Sequence, residues 1–144
     1  MFSKSCEYAI QAVLYIGLKS GPNEAIGIKA IAESQGIPSH FLSKILQQLV
    51  KQKILVSTKG PNGGFRLCRP AEQLKLIQVV EQMDGLEIFD KCGIGLKSCS
   101  DANPCPVHTT FKTVKKEVKS LLTEKSVADL CLELRSGKTN LISF

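Results

Sequence analysis

The chain has 144 residues, 43% of them hydrophobic, and a formal net charge of +6. That suffices for one compact domain with a modest core and an extension; it is not the balance of a disordered chain, and no apolar run approaches the roughly 20 residues of a bilayer span. The excess charge is confined to one half, because residues 1–70 carry nine Lys/Arg against three acids while residues 71–144 carry ten of each. A basic half joined to a neutral half points to a polyanion as the partner of the first.

Glu7 and Gln11 interrupt the apolar residues at the start, and no small-residue cleavage site follows, so a secretory signal is rejected and a cytoplasmic location expected. Ser3 or Ser5 is placed to cap a first helix that runs to about Lys19, with Tyr8, Ala9, Ala12, Val13 and Ile16 at helical spacing. Gly21-Pro22-Asn23 breaks it. Ile28 to about Gln35 reads as a short second helix ended by Gly36, and Pro38 suits the first position of a third. That third helix extends to about Lys53. Phe41, Leu42, Ile45, Leu46, Leu49 and Val50 form one apolar stripe, with Ser39, His40, Ser43, Lys44, Gln47 and Lys51 away from it. Two helices joined by a tight glycine turn, the second polar and basic outside, make a helix-turn-helix pattern. Its second helix enters the major groove with its N-terminal residues nearest the bases.

Ile54 to Thr58, the turn Lys59-Gly60-Pro61-Asn62-Gly63-Gly64 and the run Phe65 to Arg69 make a β-hairpin. Directly after a helix-turn-helix, a hairpin is a wing. Lys59, Arg66 and Arg69 make it basic, and its small-residue tip suits a phosphate backbone or a minor groove. The strand-then-helix flanks that a nucleotide-phosphate loop requires are absent. Leu76 to Asp84 reads as a fourth helix, with Ile77, Val80 and Met83 inward and Gly85 closing it.

Ile88 and Phe89 lead into the segment that carries the chemistry. Cys92, Cys99, Cys105 and His108 fall within seventeen residues, spaced C-x6-C-x5-C-x2-H and interrupted by Gly93, Gly95, Pro104 and Pro106. A loop gathering soft sulfur donors and an imidazole suits a transition metal or an iron–sulfur cluster; closure by a disulfide is the plain alternative. In a reducing compartment, ligands or redox sensors are the commoner use of clustered thiols. The remaining cysteines, Cys6, Cys68 and Cys131, stand singly in apolar stretches and read as small core residues.

Val107, Phe111, Val114, Val118 and Leu121 then repeat at intervals of four, three, four and three, a heptad seam, with Lys112, Lys115, Lys116 and Lys119 off it. A helix so long and so striped is best satisfied by a second copy of the chain. Ser126 caps a last short helix through Leu134, and a mobile tail is expected from Ser136.

In this order and spacing the motifs resemble the winged-helix bacterial transcription regulators of the IscR/NsrR/CymR family, cysteine-loop subgroup. The marks are Glu7-Tyr8-Ala9, Gly36-Ile37 before Phe41-Leu42, the stretch Lys59 to Phe65, and three cysteines before a long helix. The match reaches about residue 134. The implied fold is mainly α. A winged helix-turn-helix over residues 1–85 is followed by a cluster loop over 86–106, a dimerisation helix region over 107–135 and a flexible tail over 136–144. The resemblance further implies a homodimer on a pseudo-palindromic operator, and Cys92, Cys99 and Cys105 as ligands of an iron–sulfur cluster. His108 is the expected fourth ligand, as in IscR-like members, with Glu7 of the partner subunit as the NsrR-like alternative. A 2Fe-2S cluster is preferred over 4Fe-4S.

Ser39, His40, Ser43 and Lys44 are expected at base edges, and Lys59, Gly60, Pro61, Asn62, Gly63 and Arg66 at the backbone or minor groove. Two departures stand out: the first cysteine gap is one residue longer than in IscR, and Lys59 replaces an arginine while Ser43 replaces an acid. Lysine makes a poorer planar fork than arginine, so the operator sequence does not carry over. The expected function is a repressor sensing cluster status, oxidants or nitric oxide. The alternatives are a structural zinc site or a metal-free thiol switch on the same DNA-binding fold. With His40 and His108 the only histidines, and no nucleophile–base–acid set in view, neither an enzyme nor a small-molecule substrate is expected.

Overall fold

The computed structural model describes residues 1–21 and 23–141. Pro22 of the expected break and the last three residues of the expected tail lie outside them. The element order is α1 (Lys4–Lys19), α2 (Ile28–Gln35), α3 (Ser39–Lys51), β1 (Leu55–Thr58), β2 (Gly64–Leu67), α4 (Leu76–Asp84), α5 (His108–Glu124) and α6 (Val127–Arg135), with 3₁₀ turns at Ala71–Gln73 and Glu87–Phe89. The winged-helix architecture is the one expected.

Helix α1 is the axis of the core. Cys6, Ala9, Ala12, Val13 and Ile16 line its buried face, and α2, α3, α4, α6 and β2 all pack on it. Small residues at Ala9 and Ala12 let so many neighbours approach. At Gly17 an added Cβ would lie 2.9 Å from Val127 Cγ1 and 3.2 Å from Cys131 Sγ, so α6 crosses α1 where no side chain intervenes. The Ser3 hydroxyl caps α1 by accepting from Cys6 N–H at 3.1 Å, as one of the two candidate caps should. Ser3 also donates its backbone N–H and its hydroxyl to the two Asp84 carboxylate oxygens, at 2.7 and 2.5 Å. The start of α1 is thereby clasped to the end of α4.

Between α2 and α3 the chain turns through Gly36, left-handed at φ 62°, and Ile37 N–H returns to Ala32 O at 3.0 Å. Pro38 is the cap of α3 rather than its first residue. Its ψ of 129° is extended, and its carbonyl receives the N–H groups of Phe41 and Leu42. Helix α3 stops at Lys51, two residues short of expectation. Lys53 turns left-handed (φ 62°), and Ile54 N–H bonds Leu49 O at 2.9 Å while Lys53 N–H bonds Val50 O at 3.1 Å. That is a Schellman ending with lysine where glycine usually signals it. Within α3, Leu42, Ile45, Leu46 and Leu49 are buried as expected. Phe41 is not: it stands 52% exposed, its ring 4.5 Å from that of His40.

Strands β1 and β2 pair antiparallel, Leu55 with Leu67 through Thr58 with Gly64. A third segment joins them that the sequence did not announce. Ile26, before α2, exchanges two 2.8 Å backbone bonds with Phe65. Gly64 lies under this bridge with φ 147°, where a Cβ would sit 2.3 Å from Ile26 O.

After α5, the chain turns at Lys125 and α6 returns to the main core, burying Val127 and Cys131 against α1. The stretch 107–135 thus holds two helices with different packing. Ser126 caps α6 in a reciprocal box: its hydroxyl accepts from Asp129 N–H at 3.0 Å, and Asp129 Oδ2 accepts from Ser126 N–H at 2.9 Å. Ser126→Ala should therefore cost about 1 kcal/mol, read as a lower urea midpoint with unchanged slope. Of the three lone cysteines, Cys6 and Cys131 are buried as expected, and burial pushes their thiols up, Cys6 to about 12. Cys68 is a correction. It follows the last residue of β2 and stands exposed: its backbone N–H still bonds Ile54 O at 2.9 Å, but it lies three residues beyond the Ile26–Phe65 bridge that covers the other side of the strand.

Candidate functional site

Residues 90 to 107 form neither helix nor strand. Glycines and prolines deny the segment a regular ladder, and short local bonds shape it instead. Gly95 N–H closes a turn on Cys92 O at 3.0 Å, Ser100 and Asn103 exchange backbone bonds at 3.1 Å, and His108 N–H bonds Cys105 O at 3.1 Å at the start of α5. These turns bring the three cysteines together. Their Sγ atoms all lie within 4.8 Å of one another, with Cys92 and Cys105 at 3.7 Å. Gly93 has no side chain because the Phe111 ring covers it: a Cβ there would meet the ring at 2.4 Å.

His108 adjoins this group. Its Nδ1 is 3.1 Å from Cys99 Sγ and its Nε2 is 2.8 Å from Asp101 Oδ1. Lys112 Nζ grips both Asp101 oxygens, at 2.8 and 2.7 Å. His108, and then Lys112, hold the Asp101 carboxyl down to about 2. A carboxylate that fixes one ring nitrogen, so that the other faces sulfur, is how proteins orient imidazole ligands. Asp101 was not singled out in the sequence; its only signal was a carboxylate inside the cysteine span.

The Cys92 thiol is drawn down to about 7, first by the backbone N–H of Ile94 and further by that of Leu96 and the neighbouring sulfurs. At Cys99 the Cys105 N–H pulls the same way, at 3.4 Å, but burial and the adjacent sulfurs prevail and raise it. In the metal-free protein, Cys92 should accordingly alkylate faster than Cys99. Its iodoacetamide labelling, followed by peptide mass mapping, should climb through about pH 7 while that of Cys99 lags.

The expected site residues are therefore brought together in part. Cys92, Cys99 and Cys105 converge, with His108 against Cys99. Cys92, Cys99 and His108, together with Asp101, Lys112 and Lys115, line a cleft of about 360 Å³. Glu7 is elsewhere on its own chain, at the surface and paired with Lys4 at 3.2 Å. Three thiols and an imidazole are a donor set suited to zinc or to an iron–sulfur cluster.

The DNA-facing candidates lie on α3 and the wing. Ser39, His40 and Lys44 are exposed and Ser43 half-buried; Lys59, Gly60, Pro61 and Asn62 are exposed, with Gly63 and Arg66 half-buried. The heptad seam of α5 divides. Val118 packs inward on the small cluster around Cys6, Val80 and Leu122, and Val107 is half-buried, whereas Phe111, Val114 and Leu121 are 38%, 44% and 53% exposed. Lys115, placed off the seam as a solvated residue, is instead buried.

A family model described as "Rrf2: Iron-dependent Transcriptional regulator" matches residues 2–133. The chain belongs to the Rrf2 family. This Rrf2 regulator is 30% identical over 131 residues to the HTH-type transcriptional regulator NsrR of Oceanobacillus iheyensis, covering 88% of the chain and 86% of the relative. Its fold matches the CymR global cysteine regulator of B. subtilis, with a TM-score of 0.75 at 17% identity over 92% of the chain and 96% of that structure. T. potens IscR matches with a TM-score of 0.75 at 22% identity over 96% and 91%. At such identities the structures speak for fold alone. The family makes the Rrf2 chain a DNA-binding transcription regulator and not an enzyme. Among its described residues no helix is long and apolar enough to cross a membrane.

Proposed function

We propose that this regulator is a cytoplasmic homodimeric repressor that reads a pseudo-palindromic operator and reports the state of an iron–sulfur cluster held by its cysteine loop. The observation carrying the reading is the convergence of three sulfurs within 4.8 Å at the N-terminus of a helix whose outer face, Phe111, Val114 and Leu121, is apolar and uncovered. Metal site and dimer surface thus share one element. Cys92, Cys99 and Cys105 would hold the cluster, with His108 as fourth ligand and Glu7 of the partner subunit as the alternative; 2Fe-2S is preferred over 4Fe-4S. The cluster supplies a centre that oxidants and nitric oxide attack. The protein supplies the lever: a loop fixed by ligation fixes the start of α5, and with it the separation of the two reading heads. Cluster and operator then bias the same dimer geometry, so each alters the other's affinity.

A second reading rests on the 3.7 Å between Cys92 and Cys105 Sγ. Two sulfurs on one tetrahedral zinc ion, each at ~2.3 Å, are roughly 3.8 Å apart, so the loop also suits a single structural ion. Absorption spectra of anaerobically purified protein, with iron, sulfide and zinc assayed together, separate the two. Visible bands with matching iron and sulfide, lost in Cys92→Ala, Cys99→Ala or Cys105→Ala, establish the cluster. A colourless protein with one zinc per chain sinks it.

On the DNA side, Ser39, His40, Ser43 and Lys44 face base edges, and Lys59 to Gly63 with Arg66 meet the backbone or minor groove. Phe41 joins them, since an exposed ring in the first turn of the reading helix suits a thymine methyl. Phe41→Ala should weaken operator binding about tenfold while leaving stability within about 1 kcal/mol, as read by fluorescence anisotropy and urea unfolding.

A further inference from the structure

Lys115 is the one charged side chain that is buried among the described residues, at 7% exposure. Its neighbours on α5, Lys112, Lys116 and Lys119, are exposed. An ammonium withdrawn from water requires a compensating negative charge, and no carboxylate within ion-pair distance provides one among the described residues. Its donor goes to the carbonyl of Lys91, the residue before Cys92. A neutral carbonyl answers one N–H and leaves the charge unmatched. The cleft that Lys115 lines holds Asp90 and Asp101, the latter already bound by His108 and Lys112, and the candidate ligands Cys92, Cys99 and His108; a metal group on those ligands would supply the missing charge.

We propose that Lys115 is a positioning residue and the internal counter-charge of the metal centre, anchoring the Lys91–Cys92 backbone to α5. The inference rests on the reading that the loop holds a metal group, and the charge balance is the same for each candidate. Three thiolates and a neutral imidazole around a doubly positive 2Fe-2S core, 4Fe-4S core or zinc ion leave one net negative charge. One-electron reduction of a cluster doubles it. A cation behind the first ligand therefore favours loading, and favours the reduced cluster most.

The test uses Lys115→Met, which keeps the apolar stem without the charge, and Lys115→Arg, which keeps charge and donor. Each is reconstituted anaerobically, assayed for iron, sulfide and zinc, and titrated with dithionite. The expected result is a Met variant that loads iron and sulfide but has a more negative midpoint. At fixed potential its ratio of reduced to oxidised cluster falls about tenfold, which is about 59 mV for one electron, and Arg restores it. A loaded Met variant with the wild-type midpoint overturns the proposal. If the wild-type protein takes up no iron or sulfide, the cluster reading fails, and zinc affinity decides on the same proteins: about tenfold weaker in Met and restored in Arg supports the counter-charge, and no change overturns it. Should Lys115→Met fail to fold, Lys115→Gln is read in its place by the same criteria.

Discussion

Replacing Val114 and Leu121 together by glutamate should give a chain that sediments as a monomer and binds its operator at least about a hundredfold more weakly. Both side chains are already in water in the single chain, 44% and 53% exposed, so the substitution removes nothing from the core, and far-UV circular dichroism should not change. What it removes is the apolar surface that a second α5 would cover, and it places four like charges across the twofold axis. A dimer on two half-sites gains a factor of about 10² to 10⁴ from the second contact being intramolecular, and the monomer forfeits it. Analytical ultracentrifugation and anisotropy on a two-half-site fragment are the measurements. A variant that stays dimeric would mean that the seam lies elsewhere. Neither Val114 nor Leu121 lines the cysteine cleft, so metal content serves as the control for a local effect.

Gly64→Ala should be the most damaging single methyl addition in the wing, at about 3 kcal/mol. Two causes coincide at this position. The backbone sits at φ 147°, which side chains rarely adopt, and the new Cβ would lie 2.3 Å from Ile26 O and 2.8 Å from Gly27 N. Neither obstacle is the free end of a side chain, so relief requires breaking the Ile26–Phe65 bridge that joins the wing to the segment before α2. Against a typical domain stability of 5–15 kcal/mol, that is a large fraction. Urea unfolding measures it. Operator affinity should fall with it, because a wing detached from its third segment no longer presents Lys59 and Arg66 in register. Gly60→Ala is the contrast, since a Cβ there meets nothing within 4 Å and only the φ of 108° is unfavourable. Equal effects of the two substitutions would refute the account.

Much of the fold was legible because local chemistry and tertiary need agreed. Ser3, Gly36, Gly85 and Ser126 end helices where their side chains or backbone freedom predict, and the buried face of α3 follows its leucine spacing. Two of the misreadings come from helix faces that are not what periodicity alone implies. Phe41 satisfies the apolar stripe of α3 yet lies at its first turn, beyond the last neighbour that could cover it. Lys115 satisfies a solvated stripe of α5 yet lies against the loop, which periodicity cannot see. Cys68 lies just past the end of β2, three residues beyond the Ile26–Phe65 bridge, and is exposed there. The Schellman ending of α3 was invisible because lysine, not glycine, takes the left-handed position. For the site, the cysteine spacing was explicit in the chain, but its supports were not. Asp101 reaches His108, and Lys115 reaches Lys91, across a loop whose path no pattern of residues encodes.

The return of α6 to the core bears on how a signal leaves the loop. Helix α5 is pinned at its beginning by Phe111 over Gly93 and by Lys115 on Lys91, and at its end by a helix whose Val127 and Cys131 are wedged beside Gly17. A rod clamped at both ends does not swing when one clamp shifts; it rolls about its own length. In the proposed dimer, rolling α5 would turn the strip carrying Val114 and Leu121 against a second copy, and through α6 it would press on α1, on which α2, α3, α4 and β2 also pack. A chain cut after Glu124 would keep every cysteine of the loop and the whole seam, yet the rod would be free at one end, and on the proposed function the loop should lose its hold on the reading helix.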